Sequence, residues 1–260
     1  MAAPALARRV AGGPLWIVPL ALGIVLILVP YFNLEYSIVR QLQLAMILSL
    51  LVSGLNLSLG FAGELALGQV AMYAAGAYTA GLLSVHGHTD IALQLVAAGL
   101  AALLVGVLTG IPGLRLGSWS LAMTSFFLVL LLPDVIAIFK EDTGGRNGLS
   151  GILSPTLFGR MLTPEDYFMV IAIVTVAWFA VMRNIAVSRH GTALRVLKQS
   201  PVLAASMGIN VFRMKLMAYA LGAVPAGLAG ALFASLDLYI SPEAFGFTVA
   251  TTILAASVLG

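Results

Sequence analysis

Cysteine is absent from this 260-residue sequence, which excludes disulfides, thiolate metal sites and cysteine nucleophiles. Charge is almost as scarce: Lys, Arg, Asp and Glu make up 9% of the chain, against about 25% in soluble domains. No paired carboxylate, catalytic triad or zinc motif argues for an enzyme, and no catalytic or metal-ligating residue is assigned. The phosphate-cradling pattern G-x-x-x-x-G-K-[ST] is missing too, and a net charge of +3 does not argue for a nucleic-acid partner. What fills the chain instead is apolar. Hydrophobic residues reach 61% and the mean hydropathy is +1.06, more apolar surface than one aqueous core buries. The expected partner of that surface is the lipid bilayer. The expected fold is an all-α polytopic membrane protein, with residues 1–260 as a single transmembrane domain.

A helix needs about 20 apolar residues to cross the hydrocarbon. Uncharged stretches between charged residues predict about eight transmembrane helices: Arg9–Glu35, Arg40–Glu64, Glu64–His86, Asp90–Arg115, Leu116–Leu132 running on past Asp134, Asp166–Arg183, Lys215–Asp237, and one that begins near Phe247. The Asp166–Arg183 stretch is short and must borrow its flanks. With a cytoplasmic N-terminus, the inner segments carry Arg8, Arg9, Arg115, Arg183, Arg189, Arg195, Lys198, Arg213 and Lys215, and the outer ones only Arg40, Lys140, Arg146 and Arg160. Lys and Arg are the residues that set orientation, and their alternation fits eight spans. Arg8-Arg9 before an apolar run has the look of an export signal. The run is longer than a signal's apolar region and no A-x-A pattern follows, so a retained helix is expected.

Two segments resist a plain helix reading. The first, near 54–69, carries Gly54, Gly60, Gly63 and Gly68 with polar Asn56, Ser58, Glu64 and Gln69 in an apolar setting. In a helix, Ser53, Asn56 and Gly60 share one face, and a polar face at membrane depth belongs inside a bundle or a wet cavity. Gly-broken helices near a binding site recur in transporters because the freed backbone groups meet the substrate. An ordinary cytoplasmic turn with Glu64 in water accounts for the same residues, and composition leaves both readings open. The second segment runs from Arg183 to Arg213 with Arg189, His190, Arg195 and Lys198 and no acid. Gly191–Ser200 reads as a short amphipathic helix, and Ala204–Ile209 as another, closed by Gly208. A topology-setting basic loop accounts for the charge; paired short helices suit a docking surface better.

Three ordered motifs then carry a resemblance. Gly60-Phe61-Ala62-Gly63 and Leu65-Ala66-Leu67-Gly68 are followed by Gly76-Ala77-Tyr78-Thr79-Ala80; Leu114-Arg115-Leu116 and Ser120-Leu121-Ala122 by Thr143-Gly144-Gly145-Arg146-Asn147-Gly148-Leu149; Arg189 to Asn210 by Tyr219-Ala220, Ala226-Gly227-Leu228-Ala229-Gly230 and Tyr239-Ile240-Ser241-Pro242. Over most of residues 54–245 the chain resembles the permeases of branched-chain amino acid ATP-binding-cassette importers, whose superfamily includes urea, amide and ribose-type sugar permeases. The resemblance implies a multi-pass subunit of the bacterial inner membrane that does no chemistry. It implies a second permease subunit, two cytoplasmic ATPase subunits that use the ATP, and an extracytoplasmic substrate-binding protein, and no cofactor in this chain.

On the same basis, 183–212 is the cytoplasmic coupling loop, with Gly191, Leu194, Arg195, Lys198, Ala204, Ala205 and Gly208 docking on the ATPase. Residues 140–165 form the periplasmic loop, with Thr143, Gly144, Gly145, Asn147 and Gly148 facing the binding protein. The translocation path is expected along Asn56, Ser58, Gly60, Glu64, Gly68, Gln69 and Thr251. Glu64 stands where the family commonly has Gln, and Gln69 where it has His, both in the segment that bears on solute choice. The chain also stops 17 residues after Glu243, so a truncated or naturally short permease is expected. Alternative readings are a urea or short-chain amide permease of the same superfamily, an ion-coupled secondary transporter using Glu64, and an assembly remnant without transport. His86, His88 and Asp90 read as a solvated turn rather than a metal site. Thr248, Thr251 and Thr252 share a helix face and either line a path or bond across packed helices.

Overall fold

The computed structural model of the protein describes residues 35–259. The expected first span between Arg9 and Glu35, with Arg8 and Arg9, lies outside the described residues. The others follow as α1 (Tyr36–Leu55), α2 (Gln69–Val85), α3 (Ile91–Arg115), α4 (Ser118–Ile138), α5 (Pro164–Val187), α6 (Arg189–Gln199), α7 (Pro201–Ser206), α8 (Val211–Asp237) and α9 (Phe247–Leu259). Among the described residues, six helices are long and apolar enough to cross a membrane: Tyr36–Phe61, Ile91–Arg115, Trp119–Ile138, Pro164–Val187, Val211–Asp237 and Pro242–Leu259. The expected span between Glu64 and His86 is the one that falls short. The chain leaves helical form before it, so α2 starts only at Gln69 and runs 17 residues. Most of its side chains are buried, from Val70 to Gly81, so protein rather than lipid surrounds it.

The starts of α3, α5, α6, α7 and α8 carry side-chain caps, which satisfy amide groups that have no intrahelical partner. Asp90 accepts from Ala92 N at 3.0 Å to open α3. Thr163 and Asp166 form a reciprocal capping box at α5, and Pro164 takes the first helical position, where a missing N–H costs nothing. This is how the short Asp166–Arg183 stretch borrows its flanks and becomes a 24-residue helix. Asn210 caps α8 through Arg213 N at 3.0 Å, one turn before the expected boundary at Lys215.

α8 is the central helix, buried from Ala218 to Ser235 on most of its faces. Small residues let its neighbours approach backbone to backbone, as membrane helices do where apolar burial supplies no drive. A Cβ placed on Gly230 would lie 2.1 Å from the Tyr73 carbonyl oxygen of α2, and one on Gly227 2.4 Å from the Ala98 carbonyl oxygen of α3. Arg40 and Asp237 pair at 2.6 Å and tie the start of α1 to the end of α8.

Antiparallel alternation of the helices sorts the charges to two ends. One end holds Arg115, Arg183, Arg189, Arg195, Lys198, Arg213 and Lys215 with the single acid Glu64; the other holds Arg40, Lys140, Arg146 and Arg160 among nine acids. At the acidic end the chain between α4 and α5 adds one antiparallel pair of two-residue strands, Thr156–Leu157 with Arg160–Met161. That pair is the small exception to an all-helical fold.

Candidate functional site: a broken helix clasped by the basic loop

At Asn56 the α1 helix widens into a π-helix, Asn56–Phe61. Ala62 N donates to Leu57 O at 3.3 Å, and Glu64 N to Ser58 O at 2.9 Å, bonds that span more residues than an α-helical turn. π-Helical turns are rare and concentrate at functional sites. The Asn56 amide lies over Gly60, where any Cβ would collide with it. From Ala62 to Gly68 the backbone has no regular structure, yet Ala62, Glu64, Ala66 and Gly68 are buried. The Gly-broken reading of 54–69 therefore holds, and the reading of an ordinary turn with Glu64 in water does not. Buried irregular backbone finds its hydrogen-bond partners in the protein that encloses it.

Enclosure comes from α8 and α4. The Glu64 carboxylate pairs with the Lys215 ammonium, their side chains 3% and 15% exposed. Gln69, also buried, donates its amide to Gly222 O at 2.5 Å. Leu67 N donates to the Ser125 hydroxyl at 3.1 Å. Ser58 is buried beside Gly222, and Gly68 packs against Ser125 and the Tyr219 hydroxyl. Of the expected path residues, Ser58, Glu64, Gly68 and Gln69 thus meet at one buried polar junction. Asn56 is exposed and Gly60 half-buried on the π-helix. Thr251 stands apart on α9, exposed, its hydroxyl returned to Thr248 O at 2.8 Å; Thr252 does the same at 2.9 Å. The threonines bond within their own helix rather than across to a neighbour.

The basic segment closes over this break. Ser188 caps α6, whose Gly191, Leu194 and Leu197 are buried at the three-residue spacing of one helix face. Leu194 and Leu197 pack with Leu57, Ala62, Met182, Ala204 and Ala218. Lys198 donates to the Gly60 carbonyl at 2.8 Å. Arg195 donates to Ala186 O at 2.8 Å and lies over the Phe61 ring at 5.8 Å. The second short helix begins at Pro201 rather than near Ala204, because Ser200 caps it through Leu203 N at 3.2 Å and proline suits its first position. Its end is the expected one. Gly208, at φ +79°, donates to Ala205 O at 3.0 Å while Ile209 N donates to Ala204 O at 3.0 Å, the paired bonds of a Schellman stop. Ala204 points inward and Ala205 outward, with Val202, Leu203 and Met207 exposed beside it.

At the opposite end, Thr143 is buried and donates to Ile136 O at 2.9 Å and Phe139 O at 2.8 Å. Gly144, Gly145 and Gly148 all take positive φ. Leu149 and Ile240 exchange backbone bonds of 2.8 and 3.0 Å, and Tyr239 donates to Asn147 O at 2.7 Å. Two of the three sequence motifs therefore touch here. His86 bonds Leu82 O at 2.7 Å and Asp90 caps α3, so these two residues end and begin helices.

Sequence reading missed Lys215, Gly222, Ser125 and Tyr219 as members of the junction. A signal existed for three of them. Lys215 with Ala218, Tyr219 and Gly222 follows i, i+3, i+4, i+7 spacing, which places the lysine at the edge of the face that α8 buries.

A family model described as "Branched-chain amino acid transport system / permease component" matches residues 37–260. The chain is 32% identical to the high-affinity branched-chain amino acid transport system permease protein LivM of Escherichia coli (strain K12), the match covering 88% of this chain and 60% of that protein. It is 32% identical to the protein of the same name from Salmonella typhimurium (strain LT2), with 84% and 57% covered. The chain thus spans about three fifths of the length of these curated relatives. No solved structure matches it.

Proposed function

The chain belongs to the branched-chain amino acid transport permease family, and from that premise we propose that it is the membrane-spanning subunit of an ATP-driven importer. It forms part of the path for branched-chain or related amino acids and does no chemistry itself. The bundle sits in the bacterial inner membrane with its basic end in the cytoplasm, the orientation that an excess of Lys and Arg favours. Eight spans, counting the segment before Glu35 and α2, put the N-terminus on that same side. Residues 140–165 then face outward toward a solute-binding protein, and a second permease completes the path.

One observation carries this reading: α6 and α7 form a compact unit at the basic end that grips the π-helix and still presents Val202, Leu203 and Met207 outward. Exposed apolar side chains of this kind suit a hydrophobic groove on an ATPase. Motion of α6 pulls on Gly60 through Lys198 and on Phe61 through Arg195. The π-helix then passes that motion to the Glu64–Gln69 link and so to α8. A bistable element biased from one side is what such coupling requires. The paired state of Glu64 supports ATP coupling over an ion site at that carboxylate, because Lys215 already balances its charge.

Reconstitution with candidate ATPase subunits tests the proposal. Uptake of leucine should require ATP and persist when the proton gradient is collapsed. Leu203→Asp should release the ATPase from the complex, whereas Lys198→Ala should keep it bound, hydrolysing ATP with much reduced uptake. Uptake that follows the gradient and ignores ATP would end this reading.

A further inference from the structure

At the basic end of the bundle, α1 and α5 leave a groove of about 580 Å³ between them. Its walls are mostly apolar, with Leu48 and Val52 of α1 facing Phe179 and Met182 of α5. Leu48 is 40% exposed, so the groove opens sideways from the bundle. The charged group that lines it, Arg183, sits with Asn56 toward one end. At 1.5 Å per residue, Asn56 lies about 30 Å along its helix from Tyr36, and Arg183 about 29 Å along its own from Pro164. Both distances equal the hydrocarbon thickness of a bilayer, so these side chains stand at the level of the lipid headgroups.

A second guanidinium reaches the same end. Arg195 donates to Ala186 O at 2.8 Å and lies over Phe61 at 5.8 Å, and Ala186 and Phe61 both line the groove. No carboxylate lines it among the described residues. Each guanidinium carries five N–H donors in a fork that fits phosphate oxygens.

We propose that this groove binds one anionic phospholipid, its phosphate against Arg183 and Arg195 and an acyl chain along Leu48, Val52 and Phe179. The polarity of the groove matches that of the ligand: apolar over most of its length, cationic at headgroup level and open toward the lipid. Basic pockets between membrane helices are a recognised setting for such headgroups. A zwitterionic amino acid fits less well, because its ammonium meets no acid there. Through Arg195 the lipid would touch α6, the element that holds the break in α1. The proposal rests on insertion in a bilayer and not on transport.

Native mass spectrometry of the purified full chain tests it, with dioleoyl-phosphatidylglycerol and dioleoyl-phosphatidylcholine titrated separately. One phosphatidylglycerol should be retained in preference to phosphatidylcholine. Arg183→Gln and Arg195→Gln should each weaken its retention about fivefold, the equivalent of roughly 1 kcal/mol per basic group, and Arg183→Lys should keep most of it. Val52→Trp fills the groove and should abolish retention of the preferred lipid. Should Arg183→Gln fail to fold, Arg195→Gln and Val52→Trp carry the test. Equal retention of the two lipids overturns the proposal, as does phosphatidylglycerol binding untouched by the folded variants. Displacement of the lipid by leucine would make the groove a solute site instead. Disulfide cross-linking of two copies through Leu48→Cys would make it an interface.

Discussion

Replacing one member of the Glu64–Lys215 pair should destabilise the protein strongly, and the two single replacements should not cost the same. Removing one partner of a buried pair leaves the other charge uncompensated, which costs about 3–5 kcal/mol. Lys215→Met strands a carboxylate that is only 3% exposed, whereas Glu64→Gln strands an ammonium that is 15% exposed and can reach water. The lysine replacement therefore falls near the top of that range and the glutamate replacement near the bottom. Joint replacement by Glu64→Met and Lys215→Met removes both charges and keeps the volume, which in buried pairs is often close to neutral. A double-mutant cycle on unfolding in mixed micelles should then give a coupling of about 2 kcal/mol or more. Additive single effects, or no loss in either single variant, would refute the pairing. The cycle also bears on mechanism: ATP-driven uptake should survive in the double variant, whereas an ion site at Glu64 would be destroyed with it.

Three further outcomes follow from the same geometry. Asn56→Ala with Gly60→Ala removes both the amide that lies over Gly60 and a poor helix former, and should raise stability by about 1 kcal/mol while lowering coupled uptake; a rise in both would show that the π-helix plays no part in transport. Gly230→Ala should cost about 1–3 kcal/mol by overpacking, because its Cβ would sit 2.1 Å from a backbone oxygen, whereas Gly99→Ala, whose Cβ meets Leu228 at 3.7 Å, should be neutral or better in thermal melts; equal melting temperatures would count against the close α2–α8 approach. The lack of native cysteine permits single-cysteine labelling on intact cells, where Arg160→Cys should react with an impermeant maleimide and Met207→Cys only after permeabilisation. The reverse pattern would invert the bundle.

Helix positions were legible because charged residues bracket nearly every long apolar run and because a cap needs only local sequence. Asp90, Thr163, Ser188 and Gly208 act within a few residues of their own positions, so their roles can be read from the chain alone. The broken segment was legible only as one of two readings: four glycines and four polar residues have no place on a lipid-facing helix, but they suit an ordinary turn in water as well. Two things were not legible. The short length of α2 goes with contacts from α8 and α4 that hold the irregular segment before it, the Gln69 side-chain amide donating to Gly222 O and Leu67 N to the Ser125 hydroxyl. The partner of Glu64 lies far along the chain, and counting Lys215 as one more cytoplasmic cation hid it. Charge-counting assigns residues to a side of the membrane and says nothing of which way they face; helical phase does, and it turns Lys215 toward the core.

The break in α1 is stable only because of what covers it. A π-helix followed by seven irregular residues leaves backbone groups outside the regular helical ladder, and in this bundle Lys198, Ser125, Gln69 and the Glu64–Lys215 pair supply their partners or hold the segment in place. Some of those partners are rigid: Ser125 and Lys215 belong to long helices held along their length by neighbours. Lys198 is different. It stands on an eleven-residue helix whose outer neighbour α7 leaves apolar side chains exposed at the basic end. A partner that shifts α6 therefore withdraws one support from the break while the others stay, and the π-helix must rearrange to satisfy Gly60 elsewhere. Stability of the closed arrangement and sensitivity to the partner rest on the same hydrogen bond, which is why a healed helix should gain the one and lose the other.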